Sequence, residues 1–537
     1  MIMTRKIYAV AAMAVISLSL GSCSKKFEAY YPNPNEPSVV PPSQLMRTVL
    51  ADMYTAPFSQ QERNDQFTCS NYNYYDDNAY WDGVFHSQFA TLNYGDLTNV
   101  LNMQTAAATA ATTTNNPYDA MAKFFKAYYF VTMTMEVGDL PMTQALSGLQ
   151  NFTPKYDTQK AIFIQALKWL DSANTEMGAL IATGNAYEFS GDSYFADFIG
   201  SAPAMVEWQK VFNAYRLRVL IELSNQAADP DLNVAAQFAA IISNPTKYPL
   251  MTSMSDNLEF QYNTQYNNYP NNSQVYGTQT LRYNMAAAYT DSAASFNDLR
   301  VMMVAEPARG LGFPDTSYNS YRGANSGLPL STMTLGVTSN ATNLYSLIGR
   351  HRYYETLVGE PTFILSYPEM CFNIAEGINR GWAAGNAAQW YQTGILADFT
   401  FYGVVDGSNQ VVLQKPNGGL GEDTTYTVHF SYSQYLAQPL VAYAGNNARG
   451  LSQILEQKYL AFFRNSGLEA YYQWRRTGVP GFLQGPAQSG YGNGGNIPLR
   501  FQYPLDEVDG NAANYQAAIQ SQYGGNDNIN QKMWLLQ

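Results

Sequence analysis

A mainly α fold interrupted by long polar loops is what this chain of 537 residues predicts. Apolar residues recur at steps of three, four and seven in several separate stretches, and strand-like alternation is scarce. The segments between those stretches are rich in Gly, Asn, Tyr and Pro and carry no such period. Charged residues make up only 13%, whereas aromatics reach 14% with 42 tyrosines. The surface must therefore be polar through amides and hydroxyls more than through charge.

In chain order, Arg5 and Lys6 precede the apolar run 7–20, too short to span a bilayer and of signal-peptide character. The run ends Leu20-Gly21-Ser22-Cys23, which resembles a lipobox, so 1–22 are expected to be removed and Cys23 to carry acyl chains. Prolines 32, 34, 37, 41 and 42 predict that 23–44 form an extended spacer. No later apolar stretch reaches membrane-spanning length, which leaves lipid as the expected anchor.

The remainder, 45–537, reads as one domain. Helices are expected over 118–137, stopped by Gly138 and Pro141, and over 157–181, with Asp157 as N-cap. A third covers 203–226, with Trp208, Phe212, Tyr215 and Val219 on one face. Pro368 opens a fourth, in which Met370, Ile374 and Ile378 line a stripe. Two more are expected over 452–464 and 468–476, and the strand TYTVHF over 425–430. Loop inserts fall near 64–77, 244–283, 308–354 and 484–503, and no self-similar unit of helical-repeat length recurs.

The net charge of −12 repels phosphate backbones, so nucleic acid is excluded as a partner and a neutral ligand fits better. Three histidines without an HExxH spacing predict no metal site and no cofactor. Cys371 sits in an apolar helical run and Cys69 in a polar stretch; spacing leaves a bridge between them open.

Ligand contacts are expected on uncharged aromatic loops. YNTQYNNYPNNSQVYG, 262–277, has four tyrosines and no charge, whereas a flexible tether would favour Gly, Ser and charge. Tyrosine presents a flat apolar face and a hydroxyl, and amides can both donate to and accept from sugar hydroxyls. Tyr266, Asn267, Asn268, Tyr269 and Tyr276 are the candidates there, weighed evenly against packing of the loop on the scaffold. Tyr318, Tyr321 and Arg322 form a weaker set. In YNYYDDNAYWD, 72–82, Tyr72, Tyr74, Tyr75 and Asn78 are candidates. Asp76 and Asp77 beside aromatics would suit a glycosidase pair, but adjacent acids at a helix entry are ordinary dipole partners. Arg475 and Arg476 read as structural, seeking carboxylates or helix carbonyls, and Trp208 and Trp474 as core.

Several of these stretches together resemble the SusD/RagB family of outer-membrane nutrient-binding lipoproteins. They are NPNEP after the lipobox, Gly138-Asp139-Leu140-Pro141, TPKYD at 153–157, WQKVFNAYRLRVLIELS at 208–224, QKYLAFFRNSGLEAYYQWRRTGVP at 457–480, and the closing PLRFQYP and NAANYQAA. The order is the family's and spans nearly the whole mature chain; Gln473 and Val479 depart from its usual acidic and aromatic residues. The resemblance implies a SusD-like scaffold of tetratricopeptide-like helix pairs, with ligand-binding loops on one side. It implies a lipid-anchored, surface-exposed outer-membrane protein that captures oligosaccharide or polysaccharide without catalysis and hands it to a SusC-type TonB-dependent transporter. Oligopeptide capture, as in RagB, is the alternative within the family. A surface glycoside hydrolase, or a scaffold that binds only the transporter, is the alternative outside it.

Overall fold

Where the caps fall decides where the helices begin. In the computed structural model, which describes residues 40–71, 89–110, 116–184, 189–279, 281–336 and 339–537, twelve helices of eight residues or more are numbered α1–α12. They are α1 Pro42–Ala51, α2 Tyr94–Ala110, α3 Pro117–Val137, α4 Gln159–Ala182, α5 Ser201–Glu222 and α6 Val234–Ser243. Then come α7 Ala287–Ser295, α8 Tyr367–Asn379, α9 Ala387–Phe401, α10 Ala448–Ala461, α11 Glu469–Thr477 and α12 Ala512–Tyr523. The mainly α expectation holds, and no described helix is long and apolar enough to cross a membrane.

Several boundaries differ from the sequence expectation for identifiable reasons. Asp157 does not cap α4: its carboxylate accepts from Met142 N at 2.9 Å and Thr143 N at 2.8 Å, closing the preceding loop. Thr158 takes the cap instead and accepts from Ala161 N at 3.3 Å. The spacer expected to reach residue 44 ends sooner, because Pro42 occupies the first position of α1, where its missing N–H leaves no bond unmade. α10 starts and stops earlier than expected; Asn447 caps it by accepting from Gly450 N at 3.0 Å. Six helices, α1, α2, α6, α7, α9 and α12, lie outside the sequence expectation; in α2 the buried stripe Leu97, Val100, Met103 and Ala107 is diluted by Thr, Asn and Gln between its members.

Helices pack in succession, α1 on α2, α2 on α3, α3 on α4 and α4 on α5, while α8 packs on α9, α10 and α5. This arrangement of successive packed helices is the one that the family resemblance implies. Trp208 of α5 is fully buried, its ring 5.6 Å from Phe124 and 5.5 Å from Phe195, and its indole N–H reaches Asp192 at 2.8 Å. Trp474 is also core.

An ionic cluster lies inside this packing. The Arg476 guanidinium of α11 pairs with Glu376 of α8 at 2.6 Å and faces Glu222 of α5 at 3.6 Å. Arg380 reaches the same Glu376 at 2.8 Å, and Lys458 of α10 lies 3.8 Å from that carboxylate. Nearby, Arg218 of α5 grips Glu369 of α8 through two nitrogens and touches Glu469 of α11 at 3.2 Å. Arg475 instead donates to the carbonyls of Leu499 and of Met135 in the last turn of α3. Both members of the Arg-Arg pair thus serve the scaffold.

Part of the strand content lies in or beside the loop inserts. β1 (Thr68–Ser70), β3 (Tyr283–Met285), β5 (Leu347–Ile348) and β4 (Ala305–Glu306) pair antiparallel in that spatial order. Three of the four expected inserts therefore meet in one small sheet. The fourth joins them through Gly490 N to Gly327 O at 2.9 Å and Gln66 Nε2 to Tyr491 OH at 3.0 Å. Residues 64–71 are buried rather than projecting, a correction to the expected loop there. β2 (Leu258–Phe260) pairs with β6 (Thr362–Leu365), and β7 (Gly407–Gln414) with β8 (Asp423–Phe430), which contains the expected strand. Cys69 and Cys371 are separate, buried free thiols.

Burial alone would raise the Glu376 carboxyl, but Arg476, Lys458 and Arg380 outweigh it and hold its pKa down at about 2. A depressed carboxylate stabilises the fold above its unfolded value of 4.5, and that contribution is lost as pH falls from there towards about 2. Glu376→Ala leaves buried cations uncompensated and is expected to cost about 3–5 kcal/mol in chemical denaturation at pH 7. The difference from the parent protein should narrow as the pH of the titration is lowered through 4.5.

Candidate functional site

Sixteen residues without charge, 262–277, fold into an anchored loop whose tyrosines have unlike fates. Tyr262 is buried and its hydroxyl meets Thr362 Oγ1 at 2.9 Å. At the tip, Asn263 Oδ1 accepts from the backbone N–H of Gln265 and Tyr266, each at 3.0 Å, while Asn263 N donates to Asn267 O at 2.7 Å. Asn268 Nδ2 adds a bond to Asn263 O at 2.9 Å, so Asn267 and Asn268 build the turn. Tyr266 stands on this turn with 87% of its surface exposed.

Tyr269, by contrast, is 1% exposed. Its ring meets Tyr262 edge-on at 5.0 Å and stacks towards Tyr353 at 6.2 Å. With Phe58 and Tyr353 it encloses the buried Arg464 guanidinium, which lies 3.8 Å from Phe58, 4.3 Å from Tyr353 and 5.5 Å from Tyr269. Gly359, at φ +56°, lies against the Tyr269 ring, and a Cβ there would approach to 2.4 Å. The ring has no free face for a ligand, which corrects the expectation for this residue. Tyr276 is half-buried, its hydroxyl accepting from Gln414 and its ring edge-on to Tyr354 at 5.9 Å. Tyr72, Tyr74, Tyr75, Asn78 and Cys23 lie outside the described residues.

The weaker candidate set is the one brought together. Tyr318, Tyr321 and Arg322 line a shallow groove of about 580 Å³ with Phe313, Asn319 and, from α7, Asp291. Segment 322–324 is laced to α7: Ala287 N donates to Ala324 O at 2.8 Å, Ala324 N to Met285 O at 2.8 Å, and Gly323 N to the Asp291 carboxylate at 2.8 Å. A side chain at Gly323 would strike the Ala287 backbone at 2.4 Å, so glycine is required for this approach. Beneath it Asp315 accepts from Arg309 at 3.1 Å and from Tyr426 of β8 at 3.1 Å, and its carbonyl receives the Tyr321 hydroxyl at 3.1 Å.

Tyr321 is accordingly 3% exposed and forms the floor, not a platform, a second correction. Tyr318 is half-buried, Phe313 is 48% exposed, and the exposed Arg322 lies with its guanidinium 5.6 Å from the Tyr345 ring. Desolvation raises the Asp291 carboxyl above its ordinary range, and the Gly323 N–H and Arg322 oppose that shift. The groove thus offers two aromatic faces beside a carboxylate, an amide and a guanidinium. Apolar C–H faces flanked by hydroxyls fit that set. Phe313 went unremarked in the sequence; a phenylalanine beside Gly312 and Pro314 in a polar insert was the available signal.

A model of the SusD-like family, described as starch-binding and associating with the outer membrane, matches residues 34–504. Among solved structures, an outer-membrane protein of Bacteroides vulgatus shares 27% identity at a TM-score of 0.74, over 93% of this chain and 100% of that one. A SusD homologue of Bacteroides fragilis shares 28% at a TM-score of 0.77, over 93% and 100%. A chitin-binding SusD homologue of Flavobacterium johnsoniae shares 19% at a TM-score of 0.66, over 92% and 98%, and is alike in fold. Among curated proteins none matches.

The two tyrosines of the 262–277 loop should separate cleanly on mutation. Tyr269→Ala opens a cavity in the Arg464 cage and is expected to lower stability by about 3–5 kcal/mol. Tyr266→Ala should change the denaturation midpoint within about 0.5 kcal/mol, as for an exposed side chain.

Proposed function

The chain belongs to the SusD-like family, and on that premise we propose that it captures a neutral oligosaccharide or polysaccharide in the groove beside α7 and releases it chemically unchanged. The observation that carries this reading is the convergence of Phe313, Tyr318, Asn319, Asp291 and Arg322 on one open groove built from one loop insert and a scaffold helix. Two rings contribute about 0.5–1.5 kcal/mol each beyond burial, and each neutral hydrogen bond about 1 kcal/mol. Sums of that size give dissociation constants of roughly micromolar to millimolar, suited to capture followed by handover. Hydrolysis of a glycosidic bond calls for two flanking carboxylates, and Asp291 is the one carboxylate among the described residues lining this groove.

The rest of the reading follows the family. Cys23 carries the lipid that tethers the body to the outer membrane, and the ligand passes to a SusC-type TonB-dependent transporter. Tyr266, presented at the tip of its turn, offers a second stacking face to a long chain.

Affinity electrophoresis through gels containing neutral polysaccharides tests the capture. At least one polysaccharide should retard the protein, and Phe313→Ala or Tyr318→Ala should each weaken that retardation about 3–10-fold. Heat on titration with an oligopeptide pool, with free migration in every gel, would move the ligand to peptide. Release of reducing ends would overturn the non-catalytic reading. Cys23→Ala is expected to shift the protein from the membrane to the soluble fraction of cells, read by fractionation and blotting.

A further inference from the structure

The short helical turn Arg350–Tyr354 places His351 and, one turn later, Glu355 on the same side. Asp423, the first residue of β8, comes to meet them from 72 positions along the chain. His351 Nδ1 is 2.8 Å from Glu355 Oε2 and 3.2 Å from Asp423 Oδ2, and a donor atom from each of the three lies within 4.8 Å of the others. One imidazole nitrogen carries at most one proton, so it cannot satisfy two carboxylates together. The remaining oxygens, Glu355 Oε1 and Asp423 Oδ1, are buried and have no hydrogen-bond partner. Two carboxylates around one imidazole, each with an unpartnered buried oxygen, leave donor atoms that no described group fills.

We propose that His351, Glu355 and Asp423 bind a divalent transition-metal ion of the zinc type. Bonds of about 2.0–2.2 Å at tetrahedral angles set donors about 3.3–3.6 Å apart, so the His351–Glu355 pair at 2.8 Å opens by less than about 1 Å and the His351–Asp423 pair at 3.2 Å by a few tenths. One imidazole and two carboxylates suit zinc better than calcium, which takes oxygen donors throughout. His351 is 46% exposed and, with Glu355, lines a groove of about 350 Å³, which gives the ion an entry path and room for a water as fourth ligand. The bound ion clamps the start of β8 to the Arg350–Tyr354 turn. β8 in turn holds Asp315 under the saccharide groove through Tyr426. The site stands on its own geometry and does not depend on the ligand assigned to that groove.

Calorimetric titration of the tag-free, chelator-treated protein with zinc chloride tests it. One equivalent is expected to bind with a dissociation constant of about 1–10 μM and to raise the melting temperature by about 2–5 °C at a hundredfold excess. Asp423→Asn and His351→Gln should each weaken binding at least about tenfold. His429→Gln, elsewhere on β8, should leave it unchanged. Circular dichroism of each metal-free variant checks that the comparison is between folded proteins. Absence of zinc heat, zinc heat indifferent to both ligand variants, or tighter binding of calcium than of zinc would overturn the assignment.

Discussion

Four scaffold helices, α5, α8, α10 and α11, share one buried set of charges, and the rest of the molecule is arranged around it. Glu376 sits fully buried among Arg476, Arg380 and Lys458, while Arg218 joins α5 to Glu369 and Glu469 a short way off. Each cation and carboxylate is stable there only because the others are present, since an ion without its partner in a protein interior costs several kcal/mol. Such a cluster fixes helix register more strictly than apolar packing does, because a slip of one turn would strand a charge. A chain with only 13% charged residues places several of them in this position. Its surface is left to amides, hydroxyls and aromatic rings.

That fixed scaffold lets the inserts be irregular without being loose. Three of them supply strands to one four-stranded sheet, and the fourth is hydrogen-bonded to their ends. The Arg464 cage performs the same service for the 262–277 loop, where a guanidinium between aromatic rings holds Tyr269 and frees Tyr266 to face solvent. Preorganisation of this kind reduces the entropy lost when a weakly held ligand binds, which matters most when each contact is worth about 1 kcal/mol.

The legible and the illegible parts of the sequence differ in range. Gly138, Pro368 and the Trp208 stripe marked helix ends and faces because capping and periodicity are local, and the same reasoning placed Trp208, Trp474 and the Arg475–Arg476 pair in the scaffold. Asp157 misled because a carboxylate ahead of a helix can cap it or can close the loop before it, and only the position of Met142 and Thr143 settles which. In the aromatic loops the candidates divide: Tyr269 and Tyr321 turn inward, Tyr266 faces solvent, and Phe313, outside the candidate set, lines the groove. Aromatic residues in polar loops look alike in sequence whether they anchor or present.

By itself the sequence determined the helical class, the placement of six of the twelve numbered helices to within a few residues, and the resemblance to the family that the match over 34–504 now shows. These depend on neighbours within a few positions or on composition, which a linear reading contains. Tertiary structure alone decided which tyrosine faces out, that Cys69 and Cys371 stay apart, and that His351 and Glu355 meet an aspartate 72 residues beyond His351. Each of those outcomes turns on contacts between segments far apart in the chain, and no local propensity encodes where such segments come to rest.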